Sequence, residues 1–297
     1  MGQTKYVIYL PTMKPFTIAM LLCGFAAAQT LPAPSPAAGA KLYNTTRQKL
    51  AEGKQVFSFT QMKADPAQYC EYAKHYDYTW FEMQHSTLEF KDIEAMIAAC
   101  PKAAATPMIR LPDAQEWHIQ HSTDIGVLGV IIPTVDDVDR ARQGAQWARY
   151  PPYGRRSSGS GQAPSIWGAF GNYRKTIDSN MLVTLMIETP TGVANAFDIA
   201  SVPGVDVVII GNNDLSSFSG FDQGSPQYEA LMQKVHDDVL RAGKIFGQAN
   251  AARYYKGHVL SKDAKFFQNG PSNDGWTPPP GRGAKVNPLA PPKGEEP

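Results

Sequence analysis

Eight short β-rich runs that alternate with helical stretches predict an α/β fold, a single-domain (β/α)8 TIM barrel. Two further observations favour this class. Several runs are nearly continuously apolar, as in Val205–Ile210, which is typical of parallel strands covered on both faces. None is followed by the glycine-rich turn of a dinucleotide-binding sheet, which disfavours the open, doubly wound alternative.

The predicted strands share β-branched, aromatic or other large apolar residues. The first two are rich in aromatic residues, the third to sixth in Val, Ile, Leu and Met, and the last two each contain Phe. In chain order they are Val56–Phe59, Tyr78–Met83, Thr106–Arg110, Gly129–Pro133, Leu182–Glu188, Val205–Ile210, Lys244–Ala249 and Ala264–Gln268. Helical spacing of apolar residues predicts helices over Lys91–Ala99, Val135–Ala148 and Tyr228–Ala242.

Composition excludes several classes of partner. The chain has 297 residues, 43% hydrophobic and 19% charged, with a net charge of +1. That is enough apolar material for one large core. The chain has no basic run that would indicate a nucleic acid or an anionic membrane as a partner, so the substrate must be inferred from the site and not from the overall charge.

The N-terminus predicts a signal peptide over residues 1–28 with an upstream extension. Lys14 precedes an apolar run, Phe16–Phe25, that is too short to span a bilayer, and Ala26–Ala28 resembles a cleavage site. A disordered apolar tail is the alternative. We therefore expect a protein exported to the periplasm or secreted, with no membrane anchor in its mature form. A Pro/Ala linker over residues 29–40, a barrel domain over 41–276 and a Pro/Gly-rich tail over 277–297 complete the predicted organisation.

Two cysteines, Cys70 and Cys100, would remain after cleavage. An oxidising compartment permits a disulfide between them, and two buried free thiols on separate helices are the alternative. Neither belongs to a metal-binding C-x-x-C pair.

Polar side chains follow several of the predicted strands at their carboxyl ends. Glu82 lies at the end of the second strand and His85 follows it, Arg110 ends the third, Glu188 ends the fifth, and Asp214 follows the sixth. Catalytic residues of barrels lie at this rim, so we expect these side chains to converge in an active site.

The acids and bases of this rim suit one chemistry. Glu188 and Asp214 are predicted to bind a divalent metal, Mg²⁺, Mn²⁺ or Co²⁺, because carboxylates suit hard cations and two of them leave positions for a 2-oxo acid. Arg110 can stabilise a developing enolate, with a structural ion pair as the alternative. His85 can take a proton, with a structural role as the alternative.

Two further groups are candidates for substrate binding. Backbone N–H groups of Gly211, Asn212 and Asn213 can hold a substrate carboxylate, unless this is only a βα turn. Arg156 belongs to a cationic loop suited to an anionic substrate or a subunit contact. The remaining histidines show no metal-ligand spacing and are predicted to be structural and helical: His75, His118, His121, His236 and His258.

The chain resembles the HpcH/HpaI aldolase/citrate lyase family, which includes 4-hydroxy-2-oxoheptanedioate and 2-dehydro-3-deoxyglucarate aldolases. Six stretches in order carry the resemblance: Glu82–His85, Ile109–Pro112, Thr123–Pro133, Tyr150–Arg156, Ile187–Thr189 and Gly211–Ser216. The resemblance implies the same two metal ligands, Asp124 as the carboxylate that orients His85, from this or a neighbouring subunit, and a homo-oligomer, expected to be a hexamer. Gln84 and Met186 depart from the family pattern and leave the substrate open.

These observations predict a divalent-metal-dependent carbon–carbon lyase of the class II pyruvate aldolase type. It would cleave a 4-hydroxy-2-oxo acid to pyruvate, or a related 2-oxo acid, and an aldehyde. No predicted strand ends in a lysine that could form an imine. A CoA-ester lyase or 2-oxo-acid decarboxylase on the same scaffold, and an exported metal- or 2-oxo-acid-binding protein without turnover, are the alternatives.

Overall fold

The computed structural model describes residues 41–159, 161–168, 173–250 and 257–279. The predicted signal peptide, the linker over 29–40 and all but the first residues of the predicted tail lie outside the described residues. Among the described residues, no helix combines the length and apolar character that crossing a bilayer requires.

Eight parallel strands close into one barrel in which each strand pairs with the next and the eighth pairs with the first. The predicted fold class is confirmed, and each predicted strand is present. They are β1 Val56–Gln61, β2 Tyr78–Glu82, β3 Thr106–Arg110, β4 Gly129–Ile132, β5 Leu182–Ile187, β6 Val207–Ile210, β7 Ile245–Gln248 and β8 Phe266–Phe267.

Helices surround this barrel on the outside. They are α1 Thr45–Ala51, α2 Pro66–Tyr72, α3 Phe90–Ala99, α4 Glu116–Asp124, α5 Val138–Trp147, α6 Ala163–Trp167, α7 Tyr173–Asn180, α8 Pro190–Ala194, α9 Ala196–Ala200, α10 Asn212–Ser219 and α11 Pro226–Arg241, with a 3-10 helix at Val259–Lys262. Local chemistry sets several starts. The Ser225 hydroxyl accepts a hydrogen bond from the N–H of Tyr228 at the start of α11. Asp137 caps α5, so this helix begins three residues later than predicted.

Two apolar layers hold the barrel together. Inward-facing side chains such as Trp80, Met108, Ile131 and Ile209 fill the barrel interior. The outward faces of the same strands pack against the helices in a second, larger cluster. Because both faces of each strand are buried, the strands read as continuous apolar runs in the sequence.

The amino end of the barrel is closed by α1 and by buried ion pairs. Asp206 accepts hydrogen bonds from Arg47 at 2.8 Å and Arg149 at 2.7 Å. Desolvation raises the pKa of Asp206, but these two cations outweigh it, so the pKa lies below its usual value. The strand β6 begins after Asp206, two residues later than predicted, and the closed end leaves the carboxyl ends of the strands as the open face.

Candidate active site

A cavity of about 310 Å³ opens at the carboxyl ends of the strands. Its polar lining comes from both sides of the barrel rim. The structure brings together the predicted His85, Arg110, Glu188, Gly211, Asn212, Asn213 and Asp214, and adds Thr60, Met62, Glu82, Met186, Ala249, Asn250, Gln268 and Asn269. No lysine is found among the described residues that line it.

Glu188 and Asp214 form a pair of adjacent carboxylates. Glu188 follows β5 and is 1% exposed, and Asp214 lies half-buried in the first turn of α10. Burial raises the pKa of Glu188 to about 7, and the charge and contact of Asp214 add to this rise, whereas the Thr134 N–H and Arg110 lower the pKa. Two carboxylates in such contact require a shared proton or a cation between them.

The Glu188 carboxylate has a fixed orientation. Its Oε1 accepts hydrogen bonds from the backbone N–H of Thr134 at 2.7 Å and from the Thr134 hydroxyl at 3.1 Å. Its Oε2 lies against the Cα of Gly211, where a side chain would have no room. Gly211, the N-cap residue of α10, therefore makes space for the carboxylate.

Arg110 lines the cavity while forming a buried ion pair. Its Nε lies 2.7 Å and its Nη2 2.5 Å from Oε2 of Glu82, and its guanidinium carbon lies 5.5 Å from the ring centre of Trp80. Nη1 lies 3.9 Å from the sulphur of Met186. The ion pair considered as an alternative is thus present, and it fixes the arginine at the edge of the cavity.

The sequence placed Glu82 at the rim but predicted no role for it. Besides Arg110, it accepts hydrogen bonds from the indole of Trp80 at 3.0 Å and from the backbone N–H groups of Gln84 and His85 at 2.8 and 3.0 Å. The available signal was its spacing two residues after Trp80, which turns both side chains to the barrel interior.

His85 lies exposed at the rim, and no described residue hydrogen-bonds to its imidazole. The other histidines differ. His121 donates from Nδ1 to the backbone carbonyl of Trp117, and the remaining four contact carboxylates: His75 with Asp274, His118 with Asp113, His236 with Asp237 and His258 with Glu229. His75 lies in a turn and His258 lies at the N-cap of the 3-10 helix, whereas both were predicted to lie in helices.

The first turn of α10 presents backbone N–H groups beside the two acids. The first N–H groups of a helix lack partners within the helix and attract anions. The Asn212 side chain is committed elsewhere, since it donates to the Ala249 carbonyl at 2.7 Å and accepts from the Tyr228 hydroxyl at 2.8 Å. Only the backbone N–H of Asn212 is available to a ligand. The N–H of Gly211, which was also expected to bind a substrate carboxylate, is not available, because it donates to the Ile187 carbonyl at 2.9 Å.

Asp124 and Arg156 do not line the cavity, which corrects the expectation for Arg156 within one chain. The Arg156 side chain is 0% exposed, donates to Asp124 at 2.6 Å and lies 4.6 Å from the ring centre of Tyr150. A guanidinium neutralised and enclosed in this way cannot meet a substrate in the same chain. Asp124, engaged with Arg156, likewise does not contact His85 of its own chain.

Four polar residues on the other side of the cavity were also missed as site residues. Thr60, Gln268 and Asn269 come from the ends of β1 and β8, and Asn250 follows β7. Asn250 and Asn269 have φ angles of 68° and 55°, a region that asparagine tolerates better than most residues. Asn250 and Asn269 follow the short strands β7 and β8, and the apolar pattern of the sequence does not define sharply where these strands end.

The donor set fits a hard divalent cation. Glu188 and Asp214 offer two carboxylates, and the space at Gly211 keeps one oxygen of Glu188 uncovered by a side chain. Among the described residues there is no group of three or more His, Cys, Asp and Glu side chains that could hold a metal ion between them. The remaining coordination positions would fall to substrate and water, as an open catalytic site requires.

Glu188 and Asp214 lie at the carboxyl ends of the strands, where (β/α)8 enzymes carry their catalytic residues, and sequence comparison identifies the family. Residues 62–270 match the HpcH/HpaI aldolase/citrate lyase family, and the chain belongs to it. The resemblance found in the six stretches is thereby confirmed.

Named relatives are aldolases. A 2-keto-3-deoxy-L-rhamnonate aldolase of Shigella sonnei is 30% identical over 198 residues, 66% of this chain and 74% of that protein. A 2-dehydro-3,6-dideoxy-6-sulfogluconate aldolase of Pseudomonas putida is 29% identical, covering 57% of this chain and 66% of that protein. Among solved structures, an HpcH/HpaI aldolase of Desulfitobacterium hafniense aligns with a TM-score of 0.69 and 26% identity, covering 75% of this chain and 88% of that one.

Proposed function

We propose that this protein is a divalent-metal-dependent class II aldolase that cleaves a 4-hydroxy-2-oxo acid to pyruvate, or a related 2-oxo acid, and an aldehyde. The observation that carries the proposal is the pair of adjacent carboxylates, Glu188 and Asp214, in a cavity that also holds Arg110 and His85. The relatives named for 2-keto-3-deoxy and 2-dehydro sugar acids support a 2-oxo acid as the substrate class.

Each group of residues in the site has a separate role in the proposed reaction. A divalent cation held by Glu188 and Asp214 would supply Lewis-acid stabilisation of the charge on the 2-oxo oxygen. Arg110, held in place by Glu82, donates to the oxygen on which negative charge develops. The first N–H groups of α10 bind the substrate carboxylate, and His85 removes the proton of the C4 hydroxyl as the C3–C4 bond breaks.

Activity with and without metal tests this proposal. The protein is treated exhaustively with chelator, and pyruvate release from a panel of 4-hydroxy-2-oxo acids is measured before and after Mg²⁺, Mn²⁺ or Co²⁺ is restored. We expect activity to disappear and return. Full activity in the chelated protein would contradict a class II mechanism. Oxaloacetate decarboxylation, measured in parallel, separates an enzyme from a binding protein without turnover.

We further propose that the protein is exported and acts as a homo-oligomer. The resemblance to the family implies that this oligomer is a hexamer. The disulfide between Cys70 and Cys100 supports an oxidising compartment. Asp124, outside the cavity of its own chain, is the residue proposed to serve a neighbouring subunit. Sedimentation equilibrium at micromolar concentration tests assembly, and N-terminal sequencing of the secreted form tests export. An active monomer, or retention of residues 1–28, would contradict these two proposals respectively.

A further inference from the structure

We infer that Thr134 is a positioning residue for the Glu188 carboxylate, held in a strained backbone conformation that fixes one carboxylate oxygen and presents the other beside Asp214. The inference rests on the proposed metal site, and it assigns a residue of the loop after β4 to that site. Thr134 does not line the cavity and contacts it only through Glu188.

The backbone of Thr134 is unusual for its residue type. Its φ angle is 49°, in the left-handed region. A β-branched side chain is a genuine outlier there, because its two branches crowd the backbone. Such strain persists only where the surroundings enforce it, and it concentrates at functional sites.

The neighbouring loop residues enforce this conformation. The N–H of Val135 donates to the carbonyl of Met186 on β5 at 3.0 Å. Asn195 donates to the carbonyl of Asp136 at 2.7 Å, and the Thr189 hydroxyl donates to the Asp136 carboxylate. The loop after β4 is thus tied to the residues before and after Glu188, and Thr134 has no freedom to relax.

The strained conformation turns two donors of one residue toward one atom. The backbone N–H and the hydroxyl of Thr134 both donate to Oε1 of Glu188, at 2.7 and 3.1 Å. This leaves Oε2, which lies against Gly211, as the oxygen available to a cation shared with Asp214. A carboxylate held this way need not be ordered when the cation binds. Its fixed orientation therefore raises the metal affinity by preorganisation.

Three variants at this position separate positioning from mere support of the fold. Thr134→Ser keeps the hydroxyl donor, Thr134→Val removes it at nearly constant shape, and Thr134→Gly removes it while relieving the strain. The Mn²⁺ dissociation constant is measured by calorimetry, and the Tm of the metal-free protein by differential scanning calorimetry. Lys102→Gly is the matched control, because Lys102 also has a positive φ, 65°, but Glu188 accepts no hydrogen bond from it.

We expect Thr134→Ser to bind Mn²⁺ within about 2-fold of the wild type, and the Val and Gly variants to bind about 10-fold more weakly. The Tm of metal-free Thr134→Gly should be equal to that of the wild type or about 2–4 °C higher, because strain is released. Lys102→Gly should leave Mn²⁺ binding unchanged.

Weaker Mn²⁺ binding without a lower Tm in Thr134→Gly is the result that a merely structural role would not give. Unchanged Mn²⁺ affinity in the Val and Gly variants overturns the inference. So does a lower Tm in metal-free Thr134→Gly, since the residue would then stabilise the fold. A wild-type protein that binds no Mn²⁺ overturns the proposed metal site and the inference with it, whereas the other two outcomes leave the metal site standing.

Discussion

Gly211 and Glu188 approach each other so closely that a methyl group on the Gly211 Cα would overlap the Glu188 carboxylate. The backbone of Gly211, with φ −88° and ψ 90°, is one that any residue can adopt. Glycine is therefore required at this position for space and not for conformation. The same turn places Asp214 in the first turn of α10, so one short segment both makes room for one acid and supplies the other.

Gly211→Ala should weaken metal binding without unfolding the protein. The added methyl group must displace the carboxylate, and we expect the Mn²⁺ dissociation constant to rise at least about 10-fold, the range for disturbing a metal ligand's support. Gly220→Ala, at the other end of α10, is the control. Its φ is 71° with open space around it, so it should lower the free energy of unfolding by about 1 kcal/mol and leave Mn²⁺ affinity unchanged. Equal Mn²⁺ affinity in wild type and Gly211→Ala would show that the space is not needed.

Substitutions of Arg110 and of His85 should affect two reactions of the same site differently. Arg110→Ala should lower kcat by about 10²–10³ for both aldol cleavage and oxaloacetate decarboxylation, because it removes a donor to developing charge. His85→Ala should damage aldol cleavage and largely spare decarboxylation, which needs no base for a C4 hydroxyl. His121→Ala serves as the control histidine. Equal loss of both activities in His85→Ala would assign His85 to the metal or the fold instead.

The disulfide resolves what the sequence left open and carries its own prediction. Cys70 in α2 and Cys100 at the end of α3 are bonded, with Cα atoms 5.7 Å apart and 30 residues of separation. Closing a loop of this length restricts the unfolded chain, so reduction should lower the free energy of unfolding by about 3–4 kcal/mol. Denaturant melts with and without reductant measure this, and a Cys70→Ser/Cys100→Ser variant should be insensitive to reductant. A wild-type protein equally stable in both conditions would contradict it.

Asp178 should make stability depend on pH near neutrality. Burial raises the pKa of Asp178 to about 6, although the Tyr150 N–H and the charges of Arg149 and Arg156 lower it. The folded-state pKa lies above the unfolded value, so the folded state disfavours the charged form, and Asp178 costs stability above pH 6 and not below pH 4.

Asp178→Asn, which keeps an acceptor for the Tyr150 N–H, should therefore unfold less readily than the wild type at pH 7.5. The gain is at most about 3 kcal/mol, from the size of the shift. It should shrink to nothing as the pH falls through 6 to 4. Denaturant melts of both proteins across this range measure it, and a difference that is constant with pH would assign the effect to packing instead.

The sequence by itself determined the barrel and the positions of its candidate catalytic residues. Strands such as Val207–Ile210 and helices such as Pro226–Arg241 leave local periodic patterns, and the barrel then fixes that strand ends meet at one rim. The convergence of Arg110, Glu188 and Asp214 in one cavity could be predicted for this reason.

Only the tertiary structure decided which partners these residues have. The Arg110–Glu82 pair, the contacts of Thr134 with Glu188 and the enclosure of Arg156 by Asp124 and Tyr150 join residues far apart in the chain or set by loop conformation. Such contacts depend on strand register, burial and backbone angles that leave no periodic signal. The residue types at the site are thus local information, whereas their orientation and availability to a ligand are products of packing.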